Sequence, residues 1–301
     1  DWSSDVCSSD LADVLKHFVQ VQLHLYMNQK DVAYTYIDTH SGAGVYALDS
    51  TQATKNAEFD TGIGPLWNRT DVPAPLAPYL DLVKAMNPSG KMRYYPGSPY
   101  VADQMTRLED RLRLFELHPA DSKILADNFR KAEAHRAEQG ERARGRRVII
   151  ERGDGFGSLK ALLPPPSRRA LVLIDPPYEV KDDYRKVRDA LDEALGRFPS
   201  GIYAVWYPVL QRMESRQFAD KLKRLPAKEW LHVTLTVSFV TVVVSSRLQE
   251  LDKSLEEAAM DLGANRLKVF FLITLPIIAP MALGLGRLLL GHRAGGGDFG
   301  S

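Results

Sequence analysis

From Leu11 to about Val237, short apolar runs alternate with longer amphipathic stretches. This alternation is typical of a parallel β-sheet, because each connection between parallel strands is usually a helical crossover. The predicted strands are Val32–Asp38, Leu112–His118, Val148–Glu151, Ala170–Asp175, Ile202–Pro208 and Leu231–Val237. The predicted helices include Ala12–Tyr26, Ala120–Lys131, Asp182–Arg197 and Val209–Leu222. The sequence therefore predicts an α/β fold with a Rossmann-like sheet.

The connection between the first two predicted strands is too long for one crossover helix. It runs from Gly44 to Leu112, and its middle part, Pro65–Met86, contains helix-like pieces that prolines interrupt. Loops longer than about 15 residues without secondary structure of their own are uncommon in compact domains. We therefore expect a helical subdomain, at about residues 50–108, inserted into a domain that spans residues 11–237.

Both ends of the chain differ in character from this middle part. Residues 1–10 are polar and acidic, with neither the basic start nor the apolar stretch of a signal peptide. They resemble translated sequencing-adapter sequence, and a natural disordered tail is the alternative. The glycine-rich residues 281–301 are predicted to form a flexible tail.

Composition excludes several classes of protein. Hydrophobic residues make up 45% of the chain and charged residues 26%, which excludes a collagen-like, a largely disordered or a polytopic membrane protein. The single cysteine, Cys7, excludes a disulfide framework and a zinc site built from cysteines. No metal site is predicted.

The charge of the chain is close to neutral only when both ends are counted. All 301 residues hold 39 basic and 38 acidic side chains, and a net charge of +1 argues against a nucleic-acid partner. Residues 11–237 alone hold 33 basic and 29 acidic side chains and are mildly basic. Several arginines cluster there, either at a solvated helix end or on a surface that faces phosphates. They are Arg142, Arg144, Arg146, Arg147 and Arg152, followed by Arg168 and Arg169.

Residues 238–280 carry a signal of a different kind. It consists of Glu257-Ala258-Ala259, Gly263, Ile273 and Leu275-Pro276 at fixed offsets. This spacing resembles the cytoplasmic EAA loop of bacterial ABC-transporter permeases, which docks on the ATPase subunit. An ordinary amphipathic helix before an apolar run is the alternative. The apolar run is barely long enough to span a bilayer, so we predict a chimeric join near Val237 rather than a second working domain.

The strongest chemical signal is the tetrapeptide Asp175–Tyr178, directly after the apolar run Ala170–Ile174. It places an acid at the carboxyl edge of a parallel sheet, where α/β enzymes bind ligands. An exocyclic amine of a nucleobase is a poor nucleophile, because its lone pair is delocalised into the ring. The Asp175 carboxylate and the Pro176 carbonyl can accept its N–H hydrogens and orient the lone pair. Tyr178 offers a flat face on which the base can stack.

Three further strand ends complete the pattern. Asp38–Gly44 (DTHSGAG) follows the first strand with glycines that allow close backbone approach to a ligand, although any strand-to-helix turn can hold two glycines. Glu116 ends the next strand, where an acid commonly accepts hydrogen bonds from ribose hydroxyls. Asp154-Gly155 follows the third strand and can contact an adenine. Together they are the set expected of an S-adenosylmethionine site.

Six sequence motifs of the chain resemble those of a known family. The motifs are Ala12–His17 (ADVLKH), Asp38–Gly44, Tyr94–Pro99 (YYPGSP), Phe115–Pro119 (FELHP), Asp175–Glu179 (DPPYE) and Trp206–Val209 (WYPV). In this order they resemble the RlmJ family of bacterial methyltransferases, which modify the N6 of an adenine in 23S ribosomal RNA. The resemblance covers about residues 11–237 and implies a class I methyltransferase sheet with a helical insertion.

The resemblance also implies roles for individual residues. Asp175 is the expected catalytic acceptor and contacts the donor as well. The residues expected to bind S-adenosylmethionine are His17, His40, Ser98, Glu116, Asp154, Gly155 and Asp175. Those expected to face the substrate base are Pro176, Pro177 and Tyr178. Lys16 lies either near this site or on the surface. The implied protein is a cytoplasmic monomer that binds 23S ribosomal RNA, with no membrane contact of its core domain.

Two departures from the family pattern affect these expectations. The family begins with a segment bearing Tyr and His that reaches toward the RNA, and residues 1–10 replace it here. The family's last strands, with an Asn-Pro-Pro-Trp stretch, are missing after Val237, which predicts an exposed sheet edge and reduced stability. Two other functions stay open. They are DNA adenine-N6 methylation, which uses the same tetrapeptide, and binding of an ATPase by a permease fragment.

Overall fold

A five-stranded parallel sheet forms the centre of the structure. The computed structural model of the chain describes residues 11–48, 63–69, 71–140, 147–207 and 213–225, all of which belong to the unit Asp1–Val237. The strands are β1 (Thr35–Asp38), β2 (Val45–Ala47), β3 (Tyr94–Pro96), β4 (Arg111–Glu116), β5 (Val148–Arg152), β6 (Ala170–Ile174) and β7 (Ile202–Val205). The helices are α1 (Leu11–Asn28), α2 (Gly64–Trp67), α3 (Ala77–Met86), α4 (Ser98–Met105), α5 (Pro119–Glu138), α6 (Gly155–Leu162), α7 (Asp182–Arg197) and α8 (Met213–Lys223).

The strand order in the central sheet is β5-β4-β1-β6-β7. The chain runs outward from β1 through β4 to β5 and then returns to β6 on the other side of β1. Asp38, the last residue of β1, lies opposite Leu114 of β4 and Leu173 of β6. The reversal between β1 and β6 is a topological switch point, where the carboxyl ends of strands leave a crevice for a ligand.

Five of the six predicted strands are present, and the predicted Rossmann-like α/β fold is confirmed. The sixth, Leu231–Val237, lies outside the described residues. Helices α1, α5, α7 and α8 correspond to the four predicted helices, but the described part of the last one begins at Met213 rather than Val209. The helices α4 and α6 were not predicted. Both are only 8 residues long, too short for a clear helical period in the sequence.

Helices cover both faces of the sheet, which explains the uninterrupted apolar sequence of β6. All five of its residues are buried, as is typical of a parallel strand between two helical layers. Val172 and Ile174 belong to a core cluster shared with α6, α7 and α8. Leu171 and Leu173 point to the opposite face and belong to a second cluster shared with α1, α4 and α5.

The insertion between β1 and β4 returns the chain to the sheet at Gly97. Its described part contains the antiparallel pair β2–β3, helices α2 and α3, and a short 3₁₀ turn, Ala74–Leu76. Gly97 then caps α4, which packs against α1 and acts as the crossover helix into β4. Helix α4 lies within the region predicted as insertion, but it packs on the main domain. Within the described ranges, no helix combines the length and the apolar character needed to cross a bilayer.

Candidate active site

The turn after β1 is organised around the buried carboxylate of Asp38. Its Oδ2 accepts hydrogen bonds from the Tyr36 hydroxyl at 3.0 Å and from Ser98 Oγ at 2.7 Å. Its Oδ1 accepts one from the backbone N–H of His40 at 3.3 Å. Burial raises the pKa of Asp38 to about 6, although these three hydrogen bonds oppose the shift. Asp38 thus ties Ser98, at the start of α4, and His40 to the end of β1.

Two glycines and a second carboxylate complete this turn. Gly42 and Gly44 have φ angles of +57° and +76°, which glycine adopts without strain. The backbone N–H of Gly42 donates to Glu116 Oε2 at 2.7 Å, and the N–H of His118 donates to Glu116 Oε1 at 2.7 Å. Glu116 therefore joins the turn after β1 to the end of β4, and each of its oxygens keeps capacity for a further donor.

The Asp154-Gly155 pair forms the start of α6. Asp154 is exposed, and its carboxylate caps this helix by accepting hydrogen bonds from the N–H groups of Phe156 at 3.0 Å and Gly157 at 3.3 Å. Gly155 is buried against the turn after β1, where a Cβ would overlap the Thr39 carbonyl and lie 2.6 Å from Thr39 Cα. Its missing side chain allows α6 to approach that turn closely.

The two predicted donor-binding histidines lie in different surroundings. His17 is buried in α1, and its Nδ1 lies 3.3 Å from the Tyr95 hydroxyl. Burial, and then the neighbouring Lys16 charge, hold the pKa of His17 well below its usual range. His40 packs edge-on against Phe156, with ring centroids 4.7 Å apart. Burial lowers the pKa of His40 to about 4, so both imidazoles are neutral at pH 7.

Asp175 lies just beyond β6 and forms an ion pair with Lys16 of α1. Lys16 Nζ donates to Asp175 Oδ2 at 2.8 Å and lies 2.8 Å from Asp13 Oδ1. Burial raises the pKa of Asp175, and the Lys16 ammonium opposes this shift. Burial lowers the pKa of Lys16, but the two carboxylates outweigh burial and hold it above its usual value. Lys16 therefore stays charged beside Asp175.

The rest of the Asp175–Tyr178 loop is turned partly inward. Pro176 is buried and Pro177 is exposed. The Tyr178 ring is 3% exposed and packs against Tyr184 at a centroid distance of 4.7 Å. In this conformation no ring face of Tyr178 is open to a base, so stacking stays a prediction that requires the ring to move. Tyr178 has a φ of +53°, and its hydroxyl has no hydrogen-bond partner among the described residues.

Three residues at the site were not assigned a role from the sequence. They are Lys16, whose position the sequence left open, Gln20 and Tyr36. Gln20 Nε2 donates to the Tyr36 hydroxyl at 3.0 Å and to the Ser98 carbonyl at 2.8 Å. Lys16 and Gln20 are four residues apart and hence on one face of α1. The buried side of α1 also carries Asp13, His17 and His24, so the polar character of Lys16 and Gln20 alone gave no signal that separates them from these neighbours.

Two described members of the arginine cluster are engaged in contacts within the fold. Arg147 is buried and pairs with Asp103 of α4. Arg169 donates to the carbonyls of Val32 and Met27 at the opposite end of the sheet. Arg142, Arg144 and Arg146 lie outside the described residues. In the part of the chain that the structure covers, no group of three or more His, Cys, Asp or Glu residues is arranged to hold a metal ion.

Comparison with known proteins gives two separate matches along the chain. The family described as "Ribosomal RNA large subunit methyltransferase D, RlmJ" matches residues 31–243. The family "Binding-protein-dependent transport system inner membrane component" matches residues 231–299. The two matches overlap at the predicted join near Val237, and the predicted joining of two unrelated segments is confirmed.

Individual relatives agree with both matches. Ribosomal RNA large subunit methyltransferase J of Escherichia coli K12 is 44% identical over 226 residues, which are 75% of this chain and 76% of that protein. The Haemophilus influenzae protein of the same name is 41% identical over 75% of this chain and 76% of its own length. The putrescine transport system permease protein PotI of Escherichia coli K12 is 69% identical over 52 residues, 17% of this chain and 18% of that protein.

A solved structure shares the fold. Protein LPL1258 from Legionella pneumophila, described with the family model DUF519, is 35% identical. It superposes with a TM-score of 0.64 and covers 73% of this chain and 76% of its own. The sequence matches, the sheet order and the cluster of motifs at one sheet edge agree with one another. The chain therefore belongs, through residues 31–243, to the RlmJ family of ribosomal RNA large subunit methyltransferases.

Proposed function

We propose that this chain transfers the methyl group of S-adenosylmethionine to the N6 amino group of an adenine in 23S ribosomal RNA. The observation that carries the proposal is the placement of two motifs on neighbouring strands. β1 and β6 pair in parallel with Asp38 opposite Leu173, so the glycine turn and Asp175 follow adjacent strand ends. A donor bound at the turn and a base bound at Asp175 would meet at the switch point.

The acceptor side is suited to an exocyclic amine. Asp175 and the Pro176 carbonyl would each accept one N–H of the amine and orient its lone pair toward the donor. Transfer of the methyl group would break its bond to the sulfonium sulfur and leave S-adenosylhomocysteine. The amine nitrogen would gain positive charge, which the carboxylate would stabilise before it takes up the released proton. A pKa of Asp175 that burial raises favours this uptake.

Lys16 has a distinct part in this scheme. In the free protein its ammonium donates a hydrogen bond to Asp175 Oδ2 at 2.8 Å. Its second contact, with Asp13 at 2.8 Å, allows it to release Asp175 to an incoming amine without losing every partner. An unpaired buried ammonium would be costly. Asp13 therefore lowers the cost of exchanging the lysine for the substrate.

The donor side presents groups that fit the parts of S-adenosylmethionine. When bound, this molecule supplies an electrophilic methyl group on a sulfonium. The Glu116 carboxylate is half-buried and suited to ribose hydroxyls, and the Phe156 ring beside His40 offers an apolar face to an adenine. Ser98 and His17 would contact the amino-acid part. Because the Asp154 carboxylate already caps α6, its donor contact would use an oxygen that keeps a free lone pair.

The partner is ribosomal RNA rather than duplex DNA. We choose RNA over DNA because the two curated relatives are named as ribosomal RNA methyltransferases. An adenine must leave its stack to reach such a pocket, and single-stranded loops of RNA release their bases more easily than a duplex. We propose that the protein acts in this way as a cytoplasmic monomer.

The test compares methyl acceptors for the full chain. Radiolabelled S-adenosylmethionine is incubated with protein-free 23S ribosomal RNA or with adenine-containing duplex DNA, and digested product is analysed for N6-methyladenosine. We expect label in the RNA and at most background in the DNA. Donor binding is measured separately by calorimetry. Label in the DNA alone, or on another RNA atom, would refute the proposed reaction.

A further inference from the structure

Trp206, the residue that directly follows β7, lies beside Asp175 at the carboxyl edge of the sheet. β6 and β7 pair in parallel with Ile174 opposite Val205, and the backbone N–H of Trp206 donates to the Ile174 carbonyl at 2.9 Å. Asp175 and Trp206 are therefore the next pair of neighbours along these two strands. Backbones of neighbouring strands are about 4.8 Å apart, so a ligand held by Asp175 lies next to Trp206.

The side chains of Asp175 and Trp206 share one face of the sheet. Side chains alternate between the two faces along a strand. Leu173 and Ala204 belong to the core cluster on the α1 face, and Asp175 and Trp206 each follow two positions later. Two contacts agree with this placement. Lys16 of α1 donates to Asp175, and Lys16 and Trp206 both line a small cavity between α1 and the sheet.

Two other aromatic side chains that follow these strands point to the opposite face. Tyr178 and Tyr207 belong to the core cluster shared with α7 and α8. They are 3% and 9% exposed. Trp206 is only half-buried and borders the cavity, so protein does not cover its whole ring. Among the described aromatic residues just after β6 and β7, Trp206 therefore presents ring surface beside Asp175 without any rearrangement.

We propose that the Trp206 indole stacks on the target adenine while Asp175 holds the N6 amino group. The inference rests on the proposed function and deepens it, because it assigns a base-binding residue to the acceptor side. An adenine that leaves its RNA stack loses contact with neighbouring bases, and an aromatic side chain replaces that contact. Stacking also fixes the plane of the base, in which both N–H hydrogens of the amine lie. Tyr178 can cover the other face of the base only after its ring moves.

The experiment compares two substitutions of Trp206 in the full chain. Trp206→Leu keeps an apolar side chain but has no π face, and we expect kcat/KM for protein-free 23S ribosomal RNA to fall about tenfold or more. Trp206→Phe keeps an aromatic face and should stay within about threefold of the unmodified chain. The Kd of S-adenosylhomocysteine, measured by calorimetry, should be unchanged in both variants, since the proposed donor contacts lie beyond β1, β4 and β5.

Trp67→Leu is the matched control for loss of a tryptophan. Trp67 is half-buried as well, but it lies in the insertion, where its Nε1 donates to the Gly90 carbonyl at 3.3 Å. We expect its kcat/KM to equal that of the unmodified chain. If Trp67→Leu and Trp206→Leu lose activity equally, or if Trp206→Leu also weakens donor binding, loss of packing explains the effect and the proposal is overturned.

Fluorescence tests the stack in a chain that keeps Trp206. Replacement of Trp2, Trp67 and Trp230 by Phe leaves Trp206 as the one tryptophan of the chain. With S-adenosylhomocysteine bound, protein-free 23S ribosomal RNA above its KM should quench this emission, because a stacked nucleobase quenches an indole. A chain that keeps Trp67 alone should show no such change. Constant emission of Trp206 would overturn the proposal, even where Trp206→Leu does not fold.

The outcomes distinguish failure of this inference from failure of the proposed function. Normal methylation by Trp206→Leu would overturn the base contact and leave the proposed reaction in place. An unmodified chain that binds the donor but methylates no RNA would contradict the proposed function. RNA-dependent quenching of Trp206 in such a chain would still support the base contact.

Discussion

The two halves of the proposed site, one for the methyl donor and one for the acceptor base, differ in how completely the polar groups named below are hydrogen-bonded. The donor half consists of the turns after β1, β4 and β5 with the start of α4. There the carboxylates of Asp38 and Glu116 each accept hydrogen bonds from other elements. The acceptor half consists of the Asp175–Tyr178 loop and Lys16. In it Tyr178 combines a φ of +53° with a buried hydroxyl that has no partner among the described residues.

This difference corresponds to the two ligands that we propose. The donor is the same small molecule in every reaction cycle and is best bound by protein groups that are already in place, since little protein entropy is then lost on binding. A base taken out of an RNA stack needs a loop that can rearrange. A positive φ at a tyrosine and an unpaired buried hydroxyl each cost about 1–3 kcal/mol. Moving Tyr178 out of its position therefore costs less free energy than moving a core residue whose polar groups are all hydrogen-bonded.

The largest effect is expected from removal of the acceptor carboxylate. Asp175→Asn keeps the size of the side chain but provides no charge for the developing cation and no site for the released proton. We expect kcat for RNA methylation to fall by about 10³-fold or more. The measurement is the single-turnover rate with saturating donor and ribosomal RNA.

Asp189→Asn serves as the control for this variant. Asp189 is a half-buried carboxylate of α7 that pairs with Arg185 and Arg188, so its loss should leave the rate unchanged. Lys16 keeps its contact with Asp13 in Asp175→Asn, and the fold should survive. A normal rate in Asp175→Asn would remove this residue from the reaction and weaken the contrast between the two halves.

A side chain at the closest packing point of the donor half should damage the fold. Gly155→Ala places a Cβ 2.6 Å from Thr39 Cα, and backbone on both sides leaves no flexible group to yield. We expect a loss of about 2–3 kcal/mol in the free energy of unfolding. Gly153→Ala is the matched control, because a Cβ there meets nothing within 4 Å. Equal stability of the two variants in urea titrations would show that α6 can move away from the turn after β1.

The pH dependence of stability tests the buried carboxylate of the donor half. Asp38 has a pKa of about 6 in the folded chain and 3.8 as its ordinary value. Between these values the folded state keeps a proton that the unfolded state has lost. The stability that Asp38 contributes is therefore complete below pH 3.8 and is lost as the pH rises through about 6.

Asp38→Asn removes this titration. The unfolding free energy of the unmodified chain, relative to the variant, should fall by about 2 kcal/mol from pH 4 to pH 7. Urea titrations at several pH values measure the difference. The nearby Asp175 charge raises the pKa of Asp38 slightly, so Asp175→Asn should move the transition to lower pH. A difference independent of pH would mean that Asp38 is already ionised in the fold at pH 4.

The centre of the sheet was predictable because β1 and β6 are buried on both faces. Uninterrupted apolar runs such as Ala170–Ile174 are recognisable without any partner. Asp175 was placed at the carboxyl edge of the sheet for the same reason, since it directly follows such a run. The helix cap at Asp154 was not predicted, although an Asp before a helix start is a common N-cap and was a signal that the sequence offered.

Contacts between distant segments were not predictable. The pairing of Lys16 with Asp175 joins residues 159 positions apart, and that of Arg147 with Asp103 joins residues 44 apart. No local pattern distinguishes these cations from solvated ones. Tyr178 follows two prolines at a polar strand end, where the sequence indicates exposure. The Tyr178 ring packs in an aromatic cluster that includes Phe218, which lies 40 residues later in the chain. Only the tertiary fold brings these two residues together.

The smallest expected effect is a difference in unfolding free energy between two variants that each lack one buried tyrosine hydroxyl. Tyr203→Phe in β7 removes a hydroxyl that donates to two carbonyls, and it should lower the unfolding free energy by about 1 kcal/mol. Tyr178→Phe removes a buried hydroxyl without a described partner and keeps the ring against Tyr184 and Phe218. It should be neutral or stabilise the chain by up to about 1 kcal/mol, since an unsatisfied polar group leaves the core. Thermal unfolding of the two variants measures the difference in sign. Equal losses would mean that the Tyr178 hydroxyl is hydrogen-bonded in the folded chain, and the acceptor half would then be as well satisfied as the donor half.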